Sequence, residues 1–79
     1  MSPTIFRSGG YRFYFFSREE RRPHVHVYHP DGEAKVWLDP AIEMAQSHGL
    51  SARRIGTILR LTREHEDRIR RAWEKHFES

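Results

Sequence analysis

The sequence predicts an α+β fold, a four-stranded antiparallel meander followed by a short helix and a long C-terminal amphipathic helix. Three observations carry that expectation. The first half of the chain alternates apolar and polar residues with period two. Gly and Pro clusters punctuate it at hairpin spacing. The last third instead repeats its apolar residues every three or four positions. Seventy-nine residues make one domain, 1–79, with a thin core: a chain this short buries only about 60% of its unfolded surface.

The elements follow in order. Thr4-Ile5-Phe6-Arg7 is short and β-branched and reads as a first strand (4–7), closed by the turn Ser8-Gly9-Gly10. Tyr11 to Phe16 holds five aromatics in six residues and is the strongest strand, 11–16. Ser17 to Arg22 is a charged loop that Pro23 ends. His24-Val25-His26-Val27-Tyr28-His29 alternates and forms the third strand, 24–29. Pro30-Asp31-Gly32 is a turn in which Pro presets φ, Asp bonds locally and Gly takes the left-handed position. Glu33 to Leu38 alternates again as the fourth strand, 33–38. Asp39-Pro40 then reads as an N-cap and first helical position, opening a short helix over 40–47 that Gly49 stops. Ser51 caps a second helix over 51–77, whose stripe is Ile55, Ile58, Leu59, Ile69, Ala72, Trp73 and Phe77, completed by Thr62, His65 and His76.

Composition excludes several function classes. The chain has no cysteine, so it has neither disulfide staples nor a thiolate nucleophile or ligand. No apolar run approaches the ~20 residues of a membrane helix, and Met1 to Arg7 lacks the apolar core of a signal peptide, so a cytoplasmic protein is expected. Phosphate-binding glycine loops, serine elbows and dinucleotide fingerprints are absent from the sequence. The net charge of +3 sits in residues 51–79, which carry eight basic and five acidic groups. On the long helix, Glu64–Arg68, Glu66–Arg70 and Asp67–Arg71 are favourable four-residue pairs. Arg53, Arg54, Arg60 and Arg63 lack that pairing in this reading and form the candidate anion-binding patch.

Strand pleating sorts side chains onto two faces. Val25, Val27, Ala34, Val36 and Leu38 share one face, joined by Phe13 and Phe15 or by Tyr14 and Phe16, and the long helix packs there. His24, His26, Tyr28, Glu33, Lys35 and Trp37 share the other, with Arg12 and Tyr14 beside them if Phe13 and Phe15 face the core. Aromatics mixed with cations and imidazoles suit base stacking and phosphate contact, and equally a protein interface. His24-Val25-His26 places two imidazoles about 7 Å apart along one strand face. With Lys35 or Arg12 on a phosphate, an imidazole as acid or base makes a minimal metal-independent ribonuclease site. The same pair can ligate a metal, although Glu33 and Asp39 are third ligands that nothing fixes.

Pro3-Thr4-Ile5-Phe6, Gly10 to Ser17, Pro23-His24-Val25-His26-Val27, Gly32 to Leu38 and Gly49-Leu50-Ser51 resemble short bacterial proteins grouped as domain-of-unknown-function family 4160. The resemblance implies a toxin-like role, because the family's genes stand beside a second short gene, and small toxins of this size act on RNA. Its blocks fall on His24, His26, Glu33, Lys35 and Trp37. The expectation is therefore a toxin-like module that binds a small antitoxin-like protein and acts on or binds RNA. Catalytic candidates are His24, His26 and Lys35, and nucleic-acid contacts Arg12, Tyr28, Trp37, Arg53, Arg54, Arg60 and Arg63. Neither metal nor other cofactor is expected. The alternative is a non-catalytic module that uses the His/aromatic face to bind a partner or to form a homodimer.

Overall fold

A computed structural model describes residues 4–16 and 20–78. Five antiparallel strands, β1 (Thr4–Ser8), β2 (Tyr11–Tyr14), β3 (His24–His29), β4 (Gly32–Trp37) and β5 (Glu43–His48), pair in chain order. Two helices, α1 (Ala52–Glu64) and α2 (Glu66–Glu78), cover one face. The α+β meander is as expected, but it has a fifth strand in place of the short helix, and two helices in place of one.

The first hairpin closes on Gly9 (φ +53°) and Gly10 (φ +86°), the pair of positive φ angles that a two-residue turn matching strand twist requires. In the second hairpin Pro30 and Asp31 are the loop, since His29 already faces Gly32. Gly32 does not take the left-handed conformation expected of it. Its missing side chain has another cause: a Cβ there would overlap the carbonyl oxygen of His48 on β5.

Residues 43–48 are where local preference and tertiary pairing disagree. Glu-Met-Ala-Gln is good helix-forming sequence. The free edge of β4, however, offers backbone donors and acceptors that a helix would leave unpaired by protein, and β5 satisfies them from Glu33↔His48 to Trp37↔Glu43. The Asp39 carboxylate does not cap a helix but accepts from Arg70 Nη2 at 2.8 Å. A bulge at Ala45, between Lys35↔Gln46 and Val36↔Met44, turns Met44 toward the core while Gln46 stays opposite Lys35.

The core comprises Phe6, Tyr11, Phe13, Phe15, Val25, Val27, Ala34, Val36 and Leu38 from the sheet side, against Ile58, Leu61, Ile69 and Trp73. Phe6 stacks on Phe13 at 4.4 Å, and Trp73 meets the Phe15 ring edge-on at 5.4 Å. Phe13 and Phe15 are thus the inward pair. Ser51 Oγ caps α1 by accepting from Arg54 N–H. His65 interrupts the helix at φ −111°, ψ 20°, and packs on Phe6 at 4.4 Å between rings. Glu66 and Asp67 then supply negative charge to the first turn of α2. Arg70 fastens α2 to the chain just beyond β4 by donating to the Leu38 carbonyl (2.6 Å) and to Asp39 (2.8 Å), and it pairs with Glu66 within α2 (2.8 Å). Among the described residues, no helix is long and apolar enough to cross a membrane.

Candidate functional site

The sheet face away from the helices is organised by register. Arg12, Tyr28, Glu33 and His48 form one cross-strand row. Tyr14, His26, Lys35 and Gln46 form the next, and His24, Trp37 and Glu43 a third. Pleating therefore gathers Arg12, Tyr28, Lys35, Trp37, His24 and His26 on one side of the sheet, as alternation predicts, while His29 faces the other side against Tyr11. Tyr14, Phe16, His26, Glu33, Lys35, Gln46 and His48 line a shallow concavity of about 150 Å³ in that face.

His26 is half-buried between aromatic walls. Its ring lies 4.2 Å from that of Phe16 and 5.5 Å from Tyr14, whose plane is tilted only 29° from it. Phe16 is 45% exposed, so one wall borders solvent. His24 has a different environment. It is 1% exposed, its Nδ1 is 2.7 Å from the Arg22 carbonyl, and its ring packs against Trp37, His26 and Trp73. The end of α2 thus reaches round to cover His24. Of the two imidazoles, His26 borders the concavity.

Lys35 is held by charge and by π-electrons. Its ammonium pairs with Glu20 and sits 4.5 Å from the Trp37 ring centroid. The hydrogen bond from Lys35 holds the Glu20 carboxyl below the usual carboxylate range. Arg22 lies over Trp37 at 3.9 Å, giving that indole two cationic neighbours. Arg12 donates to Thr4 Oγ1 at 2.7 Å and lies 4.6 Å from the Tyr14 ring centre. Tyr28, 49% exposed, presents an aromatic surface to solvent.

The basic helix patch is elsewhere. α1 packs on the core side, so Arg53, Arg54, Arg60 and Arg63 lie away from the His26 face. Two of the four have partners that the sequence reading did not assign. Arg54 donates to Asp31 Oδ2 (2.7 Å) and to the Tyr11 hydroxyl (3.2 Å), and Arg60 pairs with Glu64 four residues on (2.9 Å). Glu64 pairs with Arg60 inside α1, while Arg68, in α2 beyond the break at His65, donates to the Ile5 carbonyl at 3.3 Å. Of the expected helix pairs, Glu66–Arg70 forms at 2.8 Å.

Two side chains of the concavity escaped the sequence reading. Gln46 and His48 belong to β5, and a helix over 40–47 points neither of them at His26. The alternation of Ile42 and Met44 was the available strand signal. Among the described residues, no group of three or more His, Cys, Asp or Glu is placed to hold a metal ion. Asp39, a suggested third ligand, is engaged by Arg70.

Comparison with protein families matches residues 10–74 to the family described as a domain of unknown function (DUF4160). Neither the curated proteins nor the solved structures give a match.

Proposed function

The chain belongs to the DUF4160 family, and we propose that it is an RNA-directed, toxin-like module whose working surface is the open sheet face. The observation that carries this reading is the row Tyr14–His26–Lys35–Gln46 at the concavity, flanked by Tyr28 and Trp37. Unpaired RNA bases stack on aromatic rings, and phosphates seek cations beside them. Tyr28 and Trp37 are the stacking surfaces, Arg12 and Lys35 the phosphate contacts, and His26 the acid–base group. The helix arginines play no part in this face. A small cognate protein in the antitoxin role would cover the same surface.

The test is binding of a fluorescein-labelled single-stranded RNA, followed by anisotropy. Tyr28→Ala removes a stacking surface, and such losses weaken binding by roughly 5- to 150-fold. Lys35→Gln lowers affinity and flattens its salt dependence. Arg71→Gln, on exposed α2, changes neither. Unaltered affinity in both face variants removes the reading.

A second reading keeps the face and drops the RNA. Phe16 and Tyr28 are large, exposed and on one side, as the anchors of a protein interface are. The protein is then a non-catalytic interaction module. A partner that binds tightly while RNA does not bind decides for it.

A further inference from the structure

We infer that His48 is the second imidazole of a phosphodiester-cleaving pair with His26, so that the RNA bound on this face is cut by its own 2′-hydroxyl. The inference rests on the RNA reading above and goes beyond it in naming the reaction and the residue. A metal-free ribonuclease needs one group to take a proton and another to give one. His24 is next to His26 in the pleat but is 1% exposed and bonded through Nδ1 to the Arg22 carbonyl, so it does not reach a substrate. His48 does line the concavity with His26, and it is exposed. Strands lie about 4.8 Å apart and rise about 3.4 Å per residue. His48 is two strands from His26 and two residues along from Gln46, the residue in the His26 row, which puts the two α-carbons about 12 Å apart. A span of that size admits one phosphate when the two rings turn toward each other across the concavity they share. Lys35, Gln46 and Glu33 line that span: Lys35 and Gln46 offer a cation and an amide donor for the non-bridging oxygens, and Glu33 sets a carboxylate beside His48.

The step balances without a cofactor. One imidazole takes the proton of the ribose 2′-hydroxyl as O2′ bonds to phosphorus. The P–O5′ bond breaks, and the other ring, protonated beforehand, gives its proton to O5′. The products are a 2′,3′-cyclic phosphate and a 5′-hydroxyl. The rings exchange protonation states and reset through solvent. Among the described residues, the ionisable groups around the pair include His24, Tyr14 and Lys35 with its partner Glu20 near His26, and Glu33 opposite His48.

The experiment incubates the purified chain with total cellular RNA in EDTA and analyses the product ends. Wild type yields cyclic phosphate and 5′-hydroxyl termini with a bell-shaped pH–rate profile. His48→Ala and His26→Ala each lower the rate 10²-fold or more, and His48→Gln does the same with the side-chain volume kept and binding retained. Circular dichroism confirms that the variants fold, which the exposed position of His48 favours. Cleavage by His48→Ala at the wild-type rate, or products with 3′-hydroxyl and 5′-phosphate ends, overturns the inference. So does RNA that wild type binds by anisotropy and leaves whole, an outcome in which the binding reading survives. RNA that is neither bound nor cut overturns both.

Discussion

Replacing Gly32 by Ala tests the β4–β5 contact on which the site depends. The added methyl would overlap the His48 carbonyl oxygen and lie 3.0 Å from Gly49 C, both backbone atoms that no rotamer change moves. Overpacking costs about 1–3 kcal/mol. A backbone obstacle places this case in the upper half of that range, about 2–3 kcal/mol. A domain of this length has roughly 4–12 kcal/mol in total. One kcal/mol moves the midpoint of a domain this size by about 4–8 °C, so Gly32→Ala melts roughly 10–20 °C early. Gly56→Ala is the control. Gly56 lies inside α1 with nothing within 4 Å of an added Cβ. Alanine there favours the helix by about 0.5–1 kcal/mol and raises the midpoint by several degrees. Thermal unfolding followed by circular dichroism reads both. A Gly32→Ala protein that melts with wild type would falsify the apposition of His48 and Gly32, and with it the placement of His48 in the concavity.

Two further outcomes follow from the charge pairs. Glu20 occupies the ammonium that an RNA phosphate would use, so Glu20→Gln strengthens RNA binding roughly two- to five-fold in the same anisotropy titration; weaker binding contradicts that competition. The hydrogen bond from Arg70 holds the Asp39 carboxyl below its ordinary range. A carboxyl depressed by folding stabilises the fold above its unfolded value, near 4, and that contribution is lost as pH falls through the folded value. Arg70→Ala therefore lowers the melting temperature at pH 7 and narrows the difference from wild type at pH 3. A gap of equal width at both values excludes the ion pair as its source.

The open face was legible because pleating is geometric. Val25 and Val27 fix which way β3 faces, and His26 must then point opposite. The choice between Phe13/Phe15 and Tyr14/Phe16 was not legible in β2, where both sets are large and aromatic. The fold resolves it by giving Phe13 and Phe15 the helix side, with Tyr14 in the His26 row. β5 was hidden because Glu43 to Gln46 favours a helix in isolation, while the edge of β4 that recruits it is a property of the assembled sheet. Burial of His24 was hidden for a related reason. Alternation gives the face of a residue, and only the path of α2 brings Trp73 over it. His65 carries no helix-breaking chemistry in its sequence, so the division of the helix there could not be anticipated.

In this meander each strand pairs with the one made just before it. A growing polypeptide can therefore zip from its N-terminal end, each new strand finding its template already laid. Gln46 and His48 come last in that order, and the surface around His26 stays unfinished until they have been synthesised and docked.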